Sequence, residues 1–328
     1  MATRFDLIGI GNAIVDVVAR VDEAFLSRRD MRKGSMTLID AGQAERLYAA
    51  MPAGEESSGG SAANTCAVAA ALGARVAYLG KVADDQLGRV FRHDITAAGV
   101  HFPSAPVREG APTARCLILV TPDGQRTMHT YLGASVAFAE GDVDTALIAD
   151  AAVLYLEGYL FDPPAAQAAF RAAAAAARAA GRRVALSLSD PFCVERHRDA
   201  FRALVRGEVD ILCANEAEVT SLYQVNSFED AVEAARAEVG LAALTQSEAG
   251  SLVVRGTETV RVPAAPARVL DTTGAGDAYA AGFLAGLTSG RDIRDCGRLG
   301  ALAAAEVIGH YGARPQADLR RLAADAGL

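Results

Sequence analysis

Residues 152–188 read AVLYLEGYLFDPPAAQAAFRAAAAAARAAGRRVALSL. One apolar run opens the stretch at Ala152–Leu156 and another closes it at Val184–Leu188. Short continuous apolar runs suit strands buried on both faces, as in a parallel sheet. Between them, Pro164–Ala180 reads as a helix. Pro163 and Pro164 stand at its start, where a missing N–H is harmless, and Ala172–Ala177 is a run of the best helix former. The segment is therefore a strand–helix–strand unit. The same rhythm extends in both directions. Phe5–Gly11, Arg75–Val82, Val209–Cys213 and Leu241–Thr245 read as further buried strands. Ser61–Leu72, Asp84–Ala98 and Ala217–Glu238, with a break near Asn226, read as helices. This alternation predicts an α/β doubly wound fold, with a mostly parallel central sheet flanked by helices.

Two regions depart from it. After Ala13, Ile14–Val18 is followed by a polar stretch and then Met36–Ile39; later, Ala114–Val120 and Gln125–Tyr131 flank Pro122-Asp123-Gly124. A Pro-Asp-Gly turn between β-rich runs predicts a hairpin. A small β-sheet lid, built from about 12–40 and 104–133, is expected on a single domain spanning 1–328. Neither an interdomain linker nor an internal repeat is visible.

Composition narrows the function classes. The 328 residues are 51% hydrophobic and carry a formal net charge of −8. That content supports a large core and excludes a disordered or collagen-like chain. The acidity argues against nucleic-acid binding, which needs clustered Lys and Arg. No run approaches the ~20 apolar residues of a membrane span. Met1–Ile10 lacks the pattern of a signal peptide, so a cytoplasmic location is expected. The five cysteines are scattered without a C-x-x-C pair, so neither a disulfide framework nor a structural zinc is expected.

Three motifs carry chemistry. Asp271-Thr272-Thr273-Gly274-Ala275-Gly276-Asp277 leads into the apolar helical pattern Ala278–Leu287. Free N–H groups at a helix start, with the helix dipole behind them, bind anions, and glycine lets the backbone approach closely. Asp277, in the first turn, could take a proton from an attacking hydroxyl while those N–H groups hold a phosphoryl group. It could equally be an acid that complements the dipole. Gly59-Gly60-Ser61-Ala62-Ala63-Asn64-Thr65 opens a second helix; Gly59, Gly60 and Asn64 can hold polyol hydroxyls, or the segment is a loop with a Ser cap. Asp16 is an acid among apolar residues, and a sugar diol would satisfy it. Asn215-Glu216-Ala217-Glu218 follows a buried strand; Asn215 and Glu218 fit a capping box and equally a site beside nucleotide phosphates and Mg²⁺.

Together these segments resemble the ribokinase-like, or phosphofructokinase-B, family of carbohydrate and nucleoside kinases. Gly59–Thr65 is similar to its first signature, Asp271–Asp277 to its second, and Asn215 with Glu218 to its N-x-x-E motif, in family order along the whole chain. The resemblance implies a ribokinase-like fold with a β lid, ATP as donor, and Mg²⁺. It implies Asp277 as base and Gly274, Ala275 and Gly276 as the anion hole. It places Thr245, Ser247 and Gly250 at the donor nucleotide, and Asp271 and Thr273 at a monovalent cation such as K⁺. Within the family the sequence is most similar to adenosine kinases: Gly11–Asp16 matches their opening strand. Gly158-Tyr159 and Leu188–Phe192 match segments whose aromatic rings flank a purine, although Tyr159 and Phe192 also suit a core or loop role.

The expected reaction is ATP-dependent phosphorylation of the 5′-hydroxyl of adenosine, with Asp16 and Asn64 orienting the ribose. Arg115 or Arg126 is expected to reach the transferring phosphate, or to be a solvated hairpin charge. The alternatives are a ribose, fructose or ketodeoxygluconate kinase of the same family, and a non-catalytic nucleoside or sugar sensor. A P-loop motif is absent, and Gly9-Ile10-Gly11 lacks the third glycine of a dinucleotide fingerprint. A homodimer through the open strand edges of the lid is also expected.

Overall fold

The computed structural model describes residues 3–328. Among these the strands, in chain order, are β1 (Phe5–Ile10), β2 (Ile14–Arg20), β3 (Met36–Leu38), β4 (Glu55–Gly59), β5 (Val76–Leu79), β6 (Val100–His101), β7 (Ala114–Val120), β8 (Arg126–Tyr131), β9 (Ala151–Glu157), β10 (Arg183–Ser187), β11 (Ile211–Asn215), β12 (Leu241–Thr245), β13 (Ser251–Arg255) and β14 (Glu258–Val262). They form two sheets. The larger has the order β14-β13-β12-β11-β10-β9-β1-β5-β6. It is parallel from β6 through β12 and closes with two antiparallel strands.

The larger sheet is buried on both faces, as its apolar runs require. Leu7 and Tyr78 join Phe91 and Phe283 on one side, while Ile8 and Ile10 join Phe161, Phe170 and Phe201 on the other. From β1 the chain winds through β5 and β6 in one direction and from β9 through β12 in the other. In doubly wound sheets a crevice opens where the winding reverses, at the carboxyl ends of the strands. Here Asn12 follows β1 and Glu157 ends β9 at that crevice. The helices Ser61–Ala71 and Ala275–Thr288 pack against each other beside it.

The smaller sheet has the order β3-β8-β7-β2-β4. Its core pairing is parallel between β2 and β7 and antiparallel between β7 and β8, with Thr121–Gly124 forming the turn. Strand β4 is an addition to the two segments expected from sequence. Its residues, Glu55-Glu56-Ser57-Ser58-Gly59, carry no apolar signal, and pairing with β2 imposes the extended conformation. Residues 104–113 contribute no strand to this sheet, only an isolated bridge from Val107 to Ala83. The helix over 217–238 is split, as Asn226 suggested, into Glu216–Tyr223 and Phe228–Glu238, with Gln224 left-handed at the break.

Candidate active site

A cavity of about 690 Å³ lies between the carboxyl edge of the large sheet and one face of the small sheet. The helix Ala275–Thr288 begins at its floor. Gly274 caps the helix at φ +77°, and a Cβ there would stand 2.5 Å from the Ala313 side chain. Ala275 N–H donates to Thr272 O at 3.2 Å, whereas the N–H groups of Gly276 and Asp277 find no protein acceptor among the described residues. Two orphan donors at the positive end of a four-turn helix form a cradle for an anion.

Asp277 stands in the first turn beside that cradle. Its Oδ1 accepts from Ser61 Oγ at 2.6 Å and its Oδ2 from Asn64 Nδ2 at 3.1 Å. Burial pushes the carboxyl above the ordinary aspartate range, against those two hydrogen bonds and the Arg314 charge. The helix Ser61–Ala71 thus fixes the acid of the other helix, joining positions more than two hundred residues apart.

Asp16 sits on β2 on the same cavity face as Cys116, its neighbour on β7. Burial raises its carboxyl to about 6, opposed by Arg314 and Arg126 and assisted by Asp277. Gly59 makes the room: a Cβ there would meet Asp16 Oδ2 at 2.4 Å. Gly60, at φ +96°, brings the chain so close to Asn12 that a Cβ would lie 2.1 Å from its carbonyl oxygen. Asn64 lines the cavity with an unpartnered, buried Oδ1.

Two buried groups hold this arrangement and were not singled out from sequence. Glu157 Oε1 accepts from Asn12 N and Nδ2 at 3.1 and 2.8 Å, and its Oε2 accepts from Ala62 N at 2.7 Å. Burial lifts it to about 7 against those three bonds. An acid closing an apolar run was its visible signal. Arg314 had none. Its guanidinium donates to Ser58 O at 2.7 Å, Ser58 Oγ at 2.8 Å and Ala63 O at 2.8 Å, bracketing Gly59-Gly60. Burial lowers its pKa while Asp94, Asp16 and Asp277 pull it up. Replacing Arg314 with Met is expected to destabilise the fold by about 3 kcal/mol, because several buried acceptors lose their donor. A fall in the urea midpoint checks this; an unchanged midpoint would remove Arg314 from the role.

At the far end of the cavity, Asn215 caps Glu216–Tyr223. Its side chain accepts from Glu218 N at 2.9 Å and donates to Glu218 Oε1 at 2.6 Å. Glu218, largely buried and raised to about 7 by burial, faces the cavity with Thr245. Ser247 and Gly250 occupy the adjoining turn, Gly250 at φ +90°, and do not line the cavity. Tyr159 and Phe192 do line it, 41% and 69% exposed, and Met36 and Leu38 of β3 line it from the small sheet, 54% and 57% exposed.

The two hairpin arginines part company. Arg115 neighbours Cys116, points to the opposite face, and packs over the rings of Tyr48 and Tyr131. Arg126 Nη2 is 2.9 Å from Asp271 Oδ2, both side chains largely buried, at the edge of the anion cradle. Asp271 also accepts from Thr273 N and Oγ1 and from Gly312 N. Both its oxygens therefore accept hydrogen bonds.

A family model described as pfkB family carbohydrate kinase matches residues 34–319. The chain belongs to that family. Its members' architecture is the one seen here, and the chain is an ATP-dependent phosphotransferase. It is similar to adenosine kinase 1 of Arabidopsis thaliana, 27% identical over 93% of this chain and 94% of the relative. Among solved structures, adenosine kinase from Sinorhizobium meliloti is 53% identical with a TM-score of 0.90, covering 98% of this chain and 99% of that one. A probable sugar kinase from Rhizobium etli is 49% identical with a TM-score of 0.91, covering 99% of each. Among the described residues no helix of this family member is long and apolar enough to cross a membrane.

Proposed function

We propose that the protein transfers the γ-phosphoryl group of ATP to the 5′-hydroxyl of adenosine. The observation that carries the choice of acceptor is that exposed Tyr159, Phe192, Met36 and Leu38 line the same cavity as the polar Asp16 and Asn64. Large apolar side chains stay exposed in a cavity when a flat, apolar ligand covers them. The likeness to the Sinorhizobium meliloti adenosine kinase supports the same reading.

The residues then divide the work. Asp16 and Asn64, with the bare backbone of Gly59 and Gly60, accept and donate to the ribose hydroxyls. Asp277 takes the 5′-hydroxyl proton; its raised pKa brings it closer to that task than an exposed aspartate. The N–H groups of Gly276 and Asp277, with Gly274 and Ala275 shaping the turn, hold charge developing on the phosphoryl oxygens. Thr245, Ser247 and Gly250 border the donor nucleotide. Arg126, anchored by Asp271, brings the small sheet to the phosphoryl group when it closes as a lid. Among the described residues no three acids or histidines cluster as a metal centre. Mg²⁺ keeps its waters and binds mainly phosphate oxygens, with Glu218 and Asn215 as its outer partners. When bound, Mg²⁺ neutralises charge on the phosphates. The unpaired edges of β3 and β4 offer a route to a homodimer. The scattered, unpaired cysteines accord with a cytoplasmic location.

The second reading, a sugar kinase, is favoured by the Rhizobium etli neighbour and by a polyol corner that needs no base. ADP release with Mg·ATP across adenosine, inosine, cytidine, ribose and fructose separates the two. Adenosine is expected to lead by tenfold or more. Phe192→Ala should raise the adenosine KM about tenfold, since one base–aromatic stack is worth ~1–3 kcal/mol. A sugar in front, with Phe192→Ala silent, would establish the second reading.

A further inference from the structure

A second cavity of about 460 Å³ lies on the opposite side of the small sheet. Alternation along β3 and β8 separates the two: Met36, Leu38, Met128 and Thr130 face the first cavity, while Thr37 and His129, paired in register, face the second. Three arginines converge on the second: Arg29 and Arg32 from the turn after the helix Glu23–Ser27, and Arg46 from the helix Ala41–Ala50. Among the described residues no carboxylate comes within 4.0 Å of their guanidinium nitrogens. Asp30 is the one acid in the lining. At the base, His129 is more than nine-tenths buried and its Nδ1 has no partner. Met31, Ile39 and Leu47 supply an apolar side.

We infer that this outer cavity binds a phosphate monoester, with the phosphate held by Arg29, Arg32, Arg46 and His129 and the organic part against Met31, Ile39 and Leu47. Guanidinium groups that face no carboxylate are matched to phosphate because their planar forks donate two parallel hydrogen bonds to its oxygens, and Arg29, which donates to Phe25 O at 3.3 Å, has further N–H groups for it. A buried imidazole nitrogen without a partner is costly unless a ligand meets it. The cavity is larger than a bare phosphate needs, and its apolar flank calls for a carbon skeleton. Because β3 and β8 carry residues into both cavities, an occupant here would restrain the strands that wall the acceptor site.

Calorimetric titration of the full chain with ribose 5-phosphate, and separately with inorganic phosphate, tests the site. Ribose 5-phosphate should bind saturably and more tightly than inorganic phosphate. The double variant Arg32→Ala/Arg46→Ala should weaken it at least about tenfold, the loss of one charge-assisted contact or more. Both positions are exposed and outside the first cavity, so kcat/KM without added phosphate should match wild type. Equal binding by wild type and variant, or none by wild type at millimolar concentration, would overturn the proposal. Inorganic phosphate binding as tightly as the ester would overturn the organic half of it.

Discussion

Asp277→Asn is expected to lower kcat about 10²–10⁴-fold, the range for loss of a general base. Asn is nearly isosteric, and its amide oxygen can still accept from Ser61, so the helix and the anion cradle should survive. The proton of the attacking hydroxyl then has no acceptor. The KM for ATP should change little, because the donor, in the proposed function, is held by the cradle and by the Thr245 end of the cavity. Steady-state kinetics with matched circular dichroism spectra check the prediction. Turnover near wild type would remove Asp277 from the role and leave it as an acid complementing the helix dipole.

The second large effect is expected at the other carboxylate. Asp16→Ala should reduce kcat/KM for the acceptor about 10²–10⁴-fold, with the ATP parameters nearly unchanged. Two hydrogen bonds from ribose hydroxyls to an ionised carboxylate, each worth ~1.5–3 kcal/mol, account for a loss of that size. The pH profile carries the same information. Asp16 is pushed up to about 6 and Asp277 is raised as well, and both act as carboxylates. Protonation removes each function, so kcat/KM should fall as pH drops through about 6. Asp16→Ala should leave an acid limb that belongs to Asp277 alone. A profile flat down to the ordinary aspartate range would contradict these shifts.

Much of this was legible in the chain because the signals were local. The run Ala152–Leu156, the alanine-rich helix after Pro163-Pro164, and the Pro122-Asp123-Gly124 turn each state their structure within a few residues. Gly59, Gly60 and Gly274 marked close backbone approaches, and the geometry shows what approaches: the Asp16 carboxylate, the Asn12 carbonyl and Ala313. Other features had no local signal. Strand β4 is polar, and its extended form comes from pairing with β2. Arg314 reaches Ser58 and Ala63 across some 250 positions, so no spacing rule could connect them. The pairing of Arg126 with Asp271 likewise depends on the small sheet meeting the loop before the helix Ala275–Thr288. Glu157 lay between these cases: visible as a charge ending a buried strand, but assignable only once the sheet order put β9 beside β1.

Identification of the product of adenosine and Mg·ATP by phosphorus NMR tests the central claim most directly. Adenosine 5′-monophosphate and ADP in equal amounts are predicted. ATP turnover without a nucleoside phosphate, or a phosphate on a hydroxyl other than the 5′, would contradict the placement of the ribose between Asp16 and Asp277.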